Sequence, residues 1–347
     1  MHRHSAAETV ISPETTLIIS QDYELFFQRS GTIEKCLFEP CDAILRSAVN
    51  HGYRITFYVD AGMLFRMQES ARRYQRLSIE FDKIRRHLAG LVNAGHDIGL
   101  HIHPHWEDTQ YVDGEWSFAT TRYQLRDFSH DEVADIIVRY MNVLREICGF
   151  APVSYRAGGF CIEPFDRVGA LLLDAGIDVD SSVVPGAYLR DRDKGFDFRA
   201  APAADWWYFD KSPAIANEGG RFLEIPVTSQ MLPFSYYWRR LFSKLGGGGD
   251  RPFGDGAAKR IGRREVLRRL AGLSRVAEMS VDDPKAGELK RLSGQLPARR
   301  LCHIMGHPKN LSPKSLLFLE NMLESKSVKR FENIATAAQL IRAGELS

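Results

Sequence analysis

Short apolar, β-branched runs recur along the chain, and the stretches between them return their apolar residues every three to four positions. Residues 16–20 (TLIIS) predict a first strand that ends in Gln21-Asp22-Tyr23-Glu24. Residues 54–60 (RITFYVD) and 97–103 (DIGLHIH) predict two more. Ser154-Tyr155-Arg156 leads a fourth into a glycine-rich bend, and residues 177–184, 222–227 and 300–305 carry three further strand patterns. Helix punctuation lies between them. Ser129 and Glu132 form a capping box, flanked by Phe128 and Val133 as a hydrophobic staple. Val133, Ile136, Ile137, Tyr140 and Val143 then share one helical face. Ser312-Pro313 places a cap and a first-turn proline ahead of Leu316, Leu319 and Leu323. This alternation predicts a parallel α/β sheet or barrel.

Residues 236–300 break the rhythm and show no strand pattern. They hold Gly246-Gly247-Gly248-Gly249, a flexible hinge, and the basic pairs Arg263-Arg264 and Arg268-Arg269. Residues 239–300 carry 16 Lys and Arg against 7 Asp and Glu. The expected organisation is therefore a disordered polar tail (1–14), a barrel (15–235 and 301–347) and a basic helical insertion (236–300). The insertion reads either as a solvated face or as a contact for an anionic partner.

Composition narrows the class. A chain of 347 residues that is 44% hydrophobic can bury a large core in one barrel or two domains. A net charge of +2 gives no reason to expect nucleic acid. No apolar run approaches the ~18–20 residues that cross a bilayer, and the polar N-terminus lacks the apolar centre of a leader. The 5 cysteines, an odd number without a CxxC pair, read as reduced thiols and point to the cytoplasm.

The densest chemistry is Gly95-His96-Asp97-Ile98-Gly99-Leu100-His101-Ile102-His103-Pro104-His105. Strand alternation puts His101 and His103 on one face, and Pro104 ends the ladder, so His105 can curl back toward His101. Such an H-x3-H pair offers two nitrogen ligands to Zn²⁺ or a similar ion. Asp22 and Glu24, two residues apart, can face one way as ligand and base. Arg156, before Ala157-Gly158-Gly159, can hold and orient a carboxylate. His307 stands after the last strand as a proton donor, with His303 inside the strand as its competitor. Asp180, in Asp180-Ser181-Ser182, can accept from that imidazole. Trp106, Trp116, Trp206 and Trp207 suit either sugar faces or packing.

Taken in order, these segments resemble the polysaccharide deacetylase family, the NodB-homology group of carbohydrate esterase family 4. The resemblance runs from about residue 16 to 344, interrupted by the basic stretch, and the GHDIGLH context is its most specific part. It implies a distorted (β/α)7 barrel and a divalent metal, usually Zn²⁺, held by an acid and two histidines. It implies hydrolysis of an N-acyl group, typically N-acetyl, from an amino sugar. With a cytoplasmic location, that points to a nucleotide-linked, lipid-linked or polymeric precursor of a surface polysaccharide. Asp22 then matches the base, His101 and His105 the metal histidines, Arg156 the residue that positions the base, Asp180 the residue that tunes the acid, and His307 the acid. One position departs. The family's metal Asp directly follows the base, where this chain has Tyr23, so Glu24 is the substitute ligand. That departure leaves open a metal-free cyclic amidohydrolase of the same fold, and a carbohydrate-binding protein without activity.

Overall fold

The computed structural model describes residues 15–190, 194–233, 235–239, 251–258, 275–289, 299–324 and 328–346. Each of the seven expected runs contains a strand. In chain order the first elements are β1 (Thr15–Tyr23), α1 (Glu39–His51), β2 (Ile55–Asp60), α2 (Ala61–Ala71), α3 (Gln75–Asn93) and β3 (Asp97–Ile102). A small hairpin, β4 (Gln110–Val112) and β5 (Glu115–Ser117), precedes α4 (His130–Cys148), β6 (Ser154–Ala157), α5 (Gly169–Asp174) and β7 (Val179–Asp180). A second hairpin, β8 (Tyr188–Arg190) and β9 (Gly195–Asp197), leads to β10 (Trp207–Phe209), β11 (Phe222–Glu224) and β12 (Ser229–Leu232). The chain ends through β13 (Arg275–Glu278), β14 (Leu301–Gly306), α6 (Pro313–Leu323), β15 (Val328–Glu332) and α7 (Ile334–Arg342).

The main sheet runs β10-β11-β7-β6-β3-β2-β1-β14, parallel except for the antiparallel edge strand β10. β1 is buried along its whole length, as a parallel strand covered on both faces must be. One side of β1 is shared: β15 pairs with Thr15–Ile18 and β2 with Ile19–Tyr23. The sheet curls until residues past β11 reach β14, where Thr228 N–H donates to the His303 carbonyl (3.0 Å) and His303 N–H to Thr228 Oγ1 (2.8 Å). The capping box appears as read, with Ser129 Oγ accepting from Glu132 N–H and the Glu132 carboxylate accepting from Ser129 N–H. The apolar stripe of α4 buries Val133, Ile136, Ile137, Tyr140 and Val143.

Residues 236–300 differ from the expectation in one respect. Arg275–Glu278 forms a strand, antiparallel to β12, and Ser280 bridges to Met305 in parallel. Its alternation was masked by charge, since the strand reads Arg-Val-Ala-Glu and is only half buried. The tail 1–14, the glycine run 246–249 and the basic pairs at 263–264 and 268–269 lie outside the described residues.

Candidate metal-dependent active site

Parallel strands deliver their last residues to one rim of the sheet, which is where α/β folds build their sites. β1 contributes Asp22 and, just past its end, Glu24; β3 contributes His101 and, just past its end, His103; β6 contributes Arg156; His307 follows β14. All of these but Arg156, together with Phe27, Tyr123, Ala157, Gly159, Phe160 and Lys194, line one cavity of about 200 Å³. Period-two alternation explains the pairing of Asp22 with Glu24. Tyr23 between them faces the other way and meets His87 Nδ1 at 3.0 Å.

Arg156 is fully buried and fixes Asp22. Its Nη1 donates to Asp22 Oδ1 (2.6 Å), Nε to the Ser181 carbonyl (2.9 Å) and Nη2 to Ser20 Oγ (3.0 Å), while the guanidinium lies 4.0 Å above the Tyr58 ring. His101 Nδ1 is 2.8 Å from the Arg156 carbonyl, so Nδ1 carries the proton of a neutral ring and Nε2 faces inward. There Nε2 lies 3.5 Å from Glu24 Oε2 and 3.8 Å from Asp22 Oδ2. His103 Nε2 approaches Glu24 Oε2 at 2.7 Å.

Glu24, His101 and His103 can each turn one ligand atom to a common point, all within 4.8 Å of one another. His101 Nε2 is buried without a hydrogen-bond partner and faces the cluster as an unpaired ligand atom. Burial pushes His103 down to about 4, against the pull of Glu24, so this imidazole is neutral and able to ligate. Burial raises the Glu24 carboxyl, but Lys309, His103 and His101 outweigh it and hold it well below its ordinary range. Burial lowers His101, and the carboxylates of Asp22, Glu24 and Asp60 reverse that and raise it. The donor set fits a divalent metal.

His103 rather than His105 stands with His101 in this group. His105 sits in a short 3-10 turn after Pro104, outside the Glu24–His101–His103 group. Its ring packs against Phe27 (4.4 Å) and stacks on Trp106 and Tyr123 (5.7 Å each). The strand periodicity did carry the signal for His103, which shares the face of His101. Gly158 leaves room for it, because a Cβ there would stand 2.5 Å from His103 Nδ1.

The two late histidines occupy different places. His303 is buried inside β14, with Nε2 2.8 Å from Ser20 Oγ and 3.3 Å from Arg156 Nη2. Burial, then the Arg156 charge, hold it well below its ordinary value, and it does not line the cavity. His307 does, with Nε2 3.7 Å from Asp22 Oδ2 and 3.6 Å from Glu24 Oε1. Its Nδ1 is 2.7 Å from Asp282 Oδ2, and its backbone N–H donates to Asp282 Oδ1 (2.7 Å). Burial would lower His307, but Asp282 above all raises it to about 9.

Asp180 is therefore not the partner of this imidazole. It accepts from Ser182 Oγ (2.7 Å) and shares its buried surroundings with Glu224, well behind the rim. Asp282 lies in the stretch read as an insertion, so no strand-end logic pointed to it. Lys309, whose Nζ donates to Glu24 Oε1 (2.8 Å), has no sequence signal either: nothing in Pro308-Lys309 announces a buried ammonium. The tryptophans pack rather than line the cavity. Trp106 is buried with Nε1 donating to Asp60 Oδ2 (2.5 Å), and Trp207 Nε1 donates to the Pro213 carbonyl.

No protein-family model and no curated protein matches the sequence. Solved structures do. PuuE allantoinase is 14% identical over 97% of this chain and 93% of its own, with a TM-score of 0.51. A Mycobacterium smegmatis protein described as a polysaccharide deacetylase is 14% identical over 97% of this chain and 96% of its own (TM-score 0.47). A carbohydrate esterase family 4 pseudoenzyme from Bacillus anthracis is 10% identical over 94% of this chain and 66% of its own (TM-score 0.41). In fold, the chain is an α/β protein similar to PuuE allantoinase.

Proposed function

We propose that the chain hydrolyses an amide, removing an N-acyl group, in the first place N-acetyl, from an amino sugar or glycan precursor. The observation that carries this reading is the meeting of Asp22, Glu24, His101, His103 and His307 at one rim, with the buried His101 Nε2 unpaired among them. Glu24, His101 and His103 would hold the divalent ion, Zn²⁺ by the family's habit, and the ion would supply Lewis acidity and a more acidic bound water. Asp22, fixed by Arg156, takes the proton from the attacking water. His307, cationic through Asp282, gives a proton to the departing amine nitrogen, which otherwise leaves poorly at neutral pH. Phe27, Tyr123 and Phe160 line the cavity and give it apolar surface for an acyl group or a sugar face.

The site also supports a second reading, a metal-free cyclic amidohydrolase. Each of its three carboxylates already has a protein cation beside it: Arg156, Lys309 and His307. One experiment separates the two. Acetate release is followed from N-acetylglucosamine oligomers and nucleotide-linked N-acetyl sugars, with Zn²⁺ and after chelation. Zn²⁺-dependent release that Asp22→Asn abolishes supports the first reading. Chelator-resistant opening of a cyclic ureide or amide supports the second, and no turnover on either panel removes both.

A further inference from the structure

Of the three charge pairs at the rim, the one between Glu24 and Lys309 sets an ammonium against an acid of the Glu24–His101–His103 cluster. Lys309 is 5% exposed, and its Nζ donates to Glu24 Oε1 (2.8 Å) and to the Leu25 carbonyl (2.6 Å). The rings of Phe26 and Phe27 stand 4.9 Å from the ammonium. The residue is anchored from outside as well, since Gly254 N–H donates to its carbonyl (3.1 Å). It is absent from the cavity lining and stands behind Glu24. Its grip takes one carboxylate oxygen and leaves the other, Oε2, turned to His101 and His103.

We propose that Lys309 is a positioning residue that confines Glu24 to one metal-facing oxygen and weakens the hold of the site on a divalent cation. This rests on the metal-centre reading above. Two physical effects act together. A carboxylate whose Oε1 is bonded to an ammonium is not free to bind an ion through both oxygens. A fixed positive charge in a water-poor site also repels an incoming dication, because little solvent screens it. The arrangement answers the displacement of the acid from position 23 to position 24. Glu24 has a longer side chain beyond the strand end, and Lys309 ties it down.

The test is Zn²⁺ affinity, read by titration calorimetry on the full chain, with the fold of each variant checked by thermal unfolding. Lys309→Gln keeps a hydrogen-bond donor and removes the charge; it should bind Zn²⁺ at least tenfold tighter than the parent. Lys309→Arg, which keeps the charge, should stay within threefold of the parent. Lys309→Met serves as the second neutral variant if the glutamine does not fold. A parent that binds Zn²⁺ while both neutral variants bind equally or more weakly overturns the role of Lys309 and leaves the metal centre standing. Zn²⁺ binding that survives Glu24→Gln unchanged, or no binding by any of these proteins at millimolar Zn²⁺, overturns both.

Discussion

At the scale of single residues, the site works through polar side chains whose ordinary behaviour has been altered by burial and by neighbours. The clearest case is His307. An imidazole raised to about 9 by Asp282 is cationic below that pH and loses its proton above it. The basic limb of the pH–rate profile should therefore fall near pH 9, and Asp282→Asn should move it at least one pH unit lower. A limb that stays in place in the variant would show that another group is the donor. Asp22→Asn removes the base proposed above while leaving the Arg156 contact possible, and should cost at least ~10²-fold in turnover with little change in melting temperature. Gly158→Ala tests the packing of His103. Its Cβ would come 2.5 Å from His103 Nδ1 and 2.7 Å from the Ile102 carbonyl, and backbone cannot yield cheaply. A loss of ~1–3 kcal/mol in denaturant unfolding is expected.

At the scale of elements, much was legible because local rules and tertiary demands agree. The capping box at Ser129 and Glu132 is both a sequence pattern and a pair of real hydrogen bonds. Ser129→Ala should cost ~1 kcal/mol, measured by urea unfolding, and an effect below a few tenths would mean that packing of α4 alone sets its start. Strand alternation put Asp22 and Glu24 on one side and Tyr23 on the other. The same alternation favoured His103, yet H-x3-H spacing favoured His105. The structure follows the strand, because Pro104 starts a 3-10 turn that carries the next ring into an aromatic stack. What the pattern did not reveal are contacts across large sequence separations. Asp282 reaches His307 from 25 residues away, and Lys309 reaches Glu24 from 285, and no local period encodes either. Arg156 was readable since its Gly-Gly neighbours mark a bend, whereas a lysine after His-Pro carries no such mark.

At the scale of the whole molecule, one buried pair behind the rim ties stability to pH. Burial, then the charge of Asp180, hold the Glu224 carboxyl well above its ordinary value, and Asp180 is raised by the same burial. A carboxyl whose folded value is raised binds its proton more tightly when folded. Its contribution is complete below the unfolded value and is lost as pH rises toward the folded one. The parent should lose stability from about pH 5 upward relative to Glu224→Gln, which carries no proton to lose. Urea unfolding of both proteins between pH 5 and pH 8 reads the difference directly, and parallel curves would remove Glu224 from the account.

The stretch after β13 does two jobs within three residues. Ser280 adds a backbone bridge beside Met305, and Asp282 grips the donor imidazole. Architecture and proton supply are thus spliced into a single peptide that arrives from outside the regular βα rhythm. Chain lengthened or exchanged upstream of it can vary only so far as this peptide still docks in register. A loop graft that shifts it by one position would part Asp282 from His307 while leaving the sheet intact.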